Sequence, residues 1–168
     1  SSVEELNEAT VGGTRIAELV NDKLASIGEK IGITKFEKVS APYVASYIHG
    51  AYRIGVLVAL DKDAPEAGKD VAMQVAALSP VAVDAASVPA DVVAREKAVI
   101  IDIMKEDPKM AGKPEEMLAK IAEGKLGAFF KEQTLTAQAF VKDGGKSVGD
   151  YLKESGVNVL EFKRVALG

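Results

Sequence analysis

Few side chains able to do covalent or metal chemistry occur in this 168-residue chain, and they are not grouped. His49 is the only histidine and there is no cysteine, which removes two-histidine metal sites, thiolate ligands, thiol nucleophiles and disulfides together. A catalytic triad would need His49 beside a nucleophilic serine, for which no G-x-S-x-G turn is expected, and no HExxH helix is available either. His49 therefore reads as an exposed loop-tip residue or as a contact residue on a rigid hairpin. Gly144-Gly145-Lys146-Ser147 is like the end of a phosphate loop, but Phe140 holds the place of the required upstream glycine, so a turn followed by a helix cap is expected. Gly12-Gly13 precedes a helical pattern without the rest of a dinucleotide-binding signature, and no strand is expected before it. Asp61, Asp63 and Glu66 lack the glycine and terminal glutamate of a calcium loop and read as a solvated segment. No cofactor and no metal are expected, and the chain does not read as an enzyme.

Composition narrows the partners. With 48% hydrophobic and 27% charged residues, the chain has the make-up of a folded globule that can bury roughly 70% of its unfolded surface. The 21 basic and 25 acidic groups give a net charge of −4, with no basic run interleaved with aromatics to follow a phosphate backbone, so direct nucleic-acid binding is disfavoured. The longest apolar stretch, Ile54 to Leu60, is far shorter than the ~20 residues of a membrane span. A soluble, unexported chain is expected, and the opening Ser1 suggests a processed or shortened one.

The elements that would position a contact surface follow from periodicity. Ile16, Leu19, Val20, Leu24 and Ile27 recur at spacings of three and four, predicting a helix over 14–27 that Gly28 ends. Ile33, Phe36 and Val39 suggest a strand within 31–39. Tyr43 to Ile48 and Arg53 to Leu60 predict a β-hairpin around His49-Gly50-Ala51-Tyr52, its second arm apolar throughout and hence central in a sheet. After a loop over 61–68 comes a helix with Val71, Ala72, Val75 and Leu78, ended by Pro80. Pro89 then suits a first helical turn, and the two series Val92/Val99/Ile103 and Val93/Ile100/Met104 suggest a coiled-coil seam. A break over 108–114 lets a second helix with Met117, Leu118, Ile121, Leu126 and Phe129 fold back against the first. Residues 133–141 read as extended, Ser147 and Asp150 as a helix-capping pair, and 157–165 as a last strand. The expected fold is α+β: a small antiparallel sheet packed with helices, with a helical hairpin projecting at about 89–131. Two divisions are expected, 1–40 and 41–168.

Several segments together resemble the elongation factor Ts family. They are Ile27-Gly28-Glu29-Lys30-Ile31, Val44-Ala45-Ser46-Tyr47-Ile48-His49-Gly50, Arg53-Ile54-Gly55-Val56-Leu57-Val58 and Asp70-Val71-Ala72-Met73-Gln74-Val75-Ala76-Ala77. Gly112-Lys113-Pro114-Glu115, Glu123-Gly124-Lys125-Leu126, Gln138-Ala139-Phe140-Val141-Lys142-Asp143 and Lys146-Ser147-Val148-Gly149 follow in the family's order. The resemblance implies a core of two α+β subdomains, of which 1–40 would be the remnant of the first and 41–168 the second with its hairpin. It also implies a protein that binds elongation factor Tu and helps it release GDP, in a bacterial cytoplasm or an organellar matrix. The amino-terminal domain and the Thr-Asp-Phe motif that the resemblance leads one to expect have no match, which leaves a binding or dimerisation module without exchange activity as the alternative. By resemblance, Ile27 and Gly28 would lie near the GTPase domain of the partner, and His49 and Val141 near its third domain. Gly50, Arg53, Phe140 and Lys142 join them by proximity. Ile27 and Val141 could equally be core. Loss of neighbouring strands would leave the strand near Ile33 as an open edge, through which a homodimer is expected.

Overall fold

The computed structural model of the chain describes residues 2–167 and divides into two compact units, Ser1–Val39 and Ser40–Gly168. The first unit opens with α1 (Val3–Glu8), which starts in a capping box: the Ser2 hydroxyl accepts from the Glu5 amide and the Glu5 carboxylate accepts from the Ser2 N–H. The short strands β1 (Thr10–Val11) and β2 (Thr14–Arg15) then pair through Gly12 and Gly13, at φ of 59° and 86°. Two successive left-handed residues are what a two-residue hairpin turn requires, so a strand does precede these glycines and they close a hairpin. Helix α2 (Ile16–Ile27) follows, two residues shorter than expected because 14 and 15 belong to β2. Its cap Gly28 stands at φ 75° and donates its N–H to the Leu24 carbonyl at 2.9 Å.

The strand expected within 31–39 does not form: residues 30–40 contain no helix or strand. Ile33, Phe36 and Val39 recur every third residue, so they cannot line one face of a strand, whose side chains alternate with period two. There is accordingly no strand edge near Ile33 for a second copy to pair with.

The second unit is built on a three-stranded antiparallel sheet in the order β3 (Tyr43–His49), β4 (Ile54–Leu60), β7 (Val159–Ala166). The central strand is the apolar arm of the hairpin, and Val56, Val58, Ala59 and Leu60 in it are all buried. Helix α3 (Pro65–Leu78) lies on this sheet and starts four residues earlier than the expected loop allows, because Pro65 fits its first turn. A Cβ on Gly68 would lie 2.6 Å from the Ala45 Cβ, so glycine is needed for the helix to approach β3 this closely. Val71, Ala72, Val75 and Ala76 pack with Ala45, Val56, Val58 and Leu60 into the main core, to which Leu135, Phe140, Val148 and Leu152 contribute.

Helices α4 (Ala90–Glu106) and α5 (Glu115–Gln133) form the projecting hairpin. The ion pairs Lys97–Glu123 and Lys105–Glu115 bridge them in antiparallel register, and Met104, Leu118 and Ala122 form a core separate from the main one. Only one of the two predicted seams faces inward: Ile100 and Met104 pack there, whereas Ile103 remains 61% exposed and Val99 is exposed as well. The Val81 and Leu135 amides, donating to the Gln133 and Ala82 carbonyls at 2.8 and 2.9 Å, root the hairpin.

The remaining elements are β5 (Ala139–Phe140), β6 (Asp143–Ser147) and α6 (Val148–Ser155). Residues 133–141 are thus not one extended segment, and Gly144-Gly145 lie in β6 rather than in a turn. Ser147 and Asp150 do cap α6 reciprocally, and Gly156 ends it at φ 66°. The architecture is α+β.

Candidate functional site

Three of the residues singled out in the sequence meet at the tip of the β3–β4 hairpin. His49 is the last residue of β3, paired with Ile54, so it stands at a strand end and not in the loop; it is exposed. Gly50, Ala51 and Tyr52 follow at φ of 65°, 54° and 68°. Two of these are not glycine, and holding them left-handed costs about 1 kcal/mol or more each. The Arg53 N–H donates to the Gly50 carbonyl at 3.2 Å, and the Arg53 carbonyl accepts from Leu167 at 2.8 Å, which ties the tip to the end of β7. The His49 Nδ1 lies 2.9 Å from the Tyr47 hydroxyl, two residues back on the same strand face, while Ile48 and Tyr52 add exposed apolar surface. The tip presents an imidazole, a guanidinium and apolar area on a fixed turn.

The second group is the turn joining β5 to β6. Val141 is 48% exposed at its apex, which removes the core reading for it. Phe140, by contrast, is 4% exposed and stacks on Tyr151 with ring centroids 4.3 Å apart, so it anchors the turn from inside and does not face outward. The Val141 N–H donates to Gln74 Oε1 at 2.8 Å, and Lys142 Nζ donates to Asp70 Oδ1 at 2.8 Å. That carboxylate also accepts the Tyr151 hydroxyl at 2.7 Å. The hydrogen bond and charge of Asp70 hold the Lys142 ammonium above its ordinary pKa, and burial, aided by the phenol's own bond to Asp70, pushes Tyr151 up to about 12.

Ile27 and Gly28 belong to the first unit. Ile27 closes α2 with 56% of its surface exposed, so the core reading fails for it too, and Gly28 acts as the left-handed cap. Asp70, Gln74 and Tyr151 escaped the sequence reading, since their bonds reach 64 to 81 positions along the chain.

The residues that could have done chemistry are occupied elsewhere. Asp61 accepts from the backbone and side-chain amides of Asn158 at 2.9 and 2.8 Å, and these bonds lower its pKa. Lys146 pairs with Glu154 at 2.7 Å and with Asp143. Contrary to the expectation that no G-x-S-x-G segment exists, Gly145-Lys146-Ser147-Val148-Gly149 has that spacing and sits between a strand and a helix. Ser147, however, is in extended backbone at φ −82° and its hydroxyl caps α6 through Asp150, so it is no strained nucleophile turn. Among the described residues no group of three histidine, cysteine, aspartate or glutamate side chains could hold a metal ion. No helix among them is long and apolar enough to cross a membrane. An open cavity of about 410 Å³ is lined by Asp84, Ser147, Asp150 and Asn158 among others. All four of these are engaged, Asp84 with Ser87, Asp150 with Ser147 and Asn158 with Asp61.

The two turns thus present exposed side chains on backbone that is fastened by hydrogen bonds. The family model for elongation factor TS matches residues 1–168. The chain belongs to the elongation factor TS family. It is 43% identical over 173 residues to elongation factor Ts of Christiangramia forsetii, covering all of this chain and 62% of that protein. Elongation factor Ts of Hydrogenobaculum sp. is 43% identical over 161 residues, covering 96% of this chain and 57% of the relative. That of Thermobifida fusca is 42% identical over 161 residues, covering 93% and 56%. The chain thus spans somewhat over half the length of these elongation factor TS relatives.

Proposed function

We propose that this chain binds elongation factor Tu and supports release of GDP from it during protein synthesis, by contact and without a reactive centre of its own. The observation that carries the reading is Val141, an exposed apolar side chain at the apex of a turn whose backbone is fastened from beneath. Such a residue has the character of an interface anchor. The His49–Arg53 tip supplies further contact area in the same unit, and Ile27 with Gly28 offers a separate candidate contact on the first unit. The mechanism is linkage: a chain that binds nucleotide-free partner more tightly than GDP-bound partner weakens GDP binding by the same factor. Such a role belongs in the compartment of translation and needs no membrane and no direct nucleic-acid contact.

Stopped-flow release of a fluorescent GDP from elongation factor Tu, with and without the chain and with binding followed in parallel, tests this. Faster release supports the proposal. Binding without faster release would make the chain a docking module, and absence of binding would refute both readings.

A further inference from the structure

We propose that Asp70 and Gln74, both inside the second unit, are positioning residues that hold the Phe140–Lys142 turn in its binding conformation and so set how strongly Val141 engages the partner. The inference rests on the docking role proposed for Val141.

Gln74 is fully buried, yet every polar atom of its side chain is directed at this turn or the residues leading into it. Its Oε1 accepts the Val141 N–H at 2.8 Å, and its Nε2 donates to the Ala139 carbonyl at 3.0 Å and to Gln138 Oε1 at 3.3 Å. Gln138 in turn donates to the Glu132 carbonyl at 2.9 Å, so the carboxamide grips the turn between the end of α5 and α3. An amide buried in this way stays only where it is satisfied, because an unpaired one costs more than a paired one gains. Asp70 does the same one helical turn earlier: its two oxygens take Lys142 and Tyr151, and the Tyr151 ring carries Phe140. Backbone at 139 and 141 and side chains at 140 and 142 are therefore all fixed from below, while the exposed Val141 side chain takes part in none of these bonds. With its ammonium bound to Asp70, Lys142 acts as a strut for the turn and not as a free charge for the partner. A contact residue held in its bound conformation loses less entropy on association, which is how a buried residue that touches no partner can govern affinity.

The test uses the full chain, elongation factor Tu as probe, and two readouts: amide hydrogen exchange of the free chain, and the dissociation constant. Gln74→Leu is expected to speed exchange at the Val141 amide and to weaken binding about tenfold, and Val141→Ala should then cost less affinity in that background than in the parent. Asp70→Asn, which keeps its shape and loses its charge, should weaken binding several-fold. Where Gln74→Leu loosens α3 itself, seen in faster exchange throughout that helix, Asp70→Asn decides by the same criteria. Unchanged exchange at Val141, or faster exchange with unchanged affinity while Val141→Ala weakens binding, would overturn the positioning role and leave the docking reading intact. If neither Val141→Ala nor His49→Ala weakened binding, both would be overturned.

Discussion

Leu24 of the first unit and Leu60 of the second both lie on the apolar side of a regular element, yet Leu24 keeps 38% of its surface exposed and Leu60 none. The contrast runs through the whole molecule. No residue from 2 to 39 is buried, and that unit is held by neighbours in sequence: the Ser2–Glu5 box, the Gly12-Gly13 hairpin, and Arg15 bound to Glu8 and Glu18. Exposed ion pairs of this kind contribute little each. The second unit has a continuous apolar core and polar ties between residues 64 to 97 positions apart, such as Gln74 with Gln138 and Asp61 with Asn158. A turn that must be presented rigidly is better supported by the second arrangement. The Val141 turn and the His49 tip both belong to that unit.

The four tyrosines, Tyr43, Tyr47, Tyr52 and Tyr151, all lie in the second unit, so tyrosine fluorescence during urea unfolding reports on it alone. Leu60→Ala is expected to cost this transition about 3 kcal/mol, whereas Leu24→Ala should leave it in place. Equal shifts would erase the distinction between the units. Gly68→Ala should cost about 2 kcal/mol by the same measurement despite the better helix propensity of alanine, because the new Cβ meets Ala45 on a strand. Tyr52→Gly relieves a left-handed residue at the hairpin tip and should stabilise the second unit by about 1 kcal/mol.

The smallest effect is on pH. The Asn158 bonds depress the Asp61 pKa, so their contribution is complete above the ordinary carboxylate range and disappears as pH falls through the lower folded value. Asp61→Asn should therefore lower stability slightly at neutral pH, leave it unchanged at pH below the folded value, and so flatten the acid side of the tyrosine-detected stability profile.

Much of this was legible from local pattern. The three-and-four spacing of Ile16 to Ile27 gave α2, the apolar run at 54–60 gave a central strand, and Ser147 with Asp150 marked the start of α6. The Ser2–Glu5 box and the Thr-Val-Gly-Gly-Thr-Arg hairpin carried usable signals that went unread, as did the proline that starts α3. The apparent strand at 31–39 misled because apolar content was weighed without its period. The two coiled-coil series could not be ranked, since which stripe faces inward depends on the partner helix. Of the candidate site, exposure at Ile27 and Val141 and burial at Phe140 depend on tertiary packing. The Gln74 and Asp70 clamp depends on pairs far apart in sequence, and no local spacing marks it.

The most direct test of a docking surface at the second unit's buttressed turn is the affinity of the full chain for nucleotide-free elongation factor Tu with Val141→Asp, measured at equal fold stability by the tyrosine signal. A charge placed at the apex of an apolar contact should weaken binding at least about a hundredfold. Unchanged affinity would contradict the claim that this turn meets the partner.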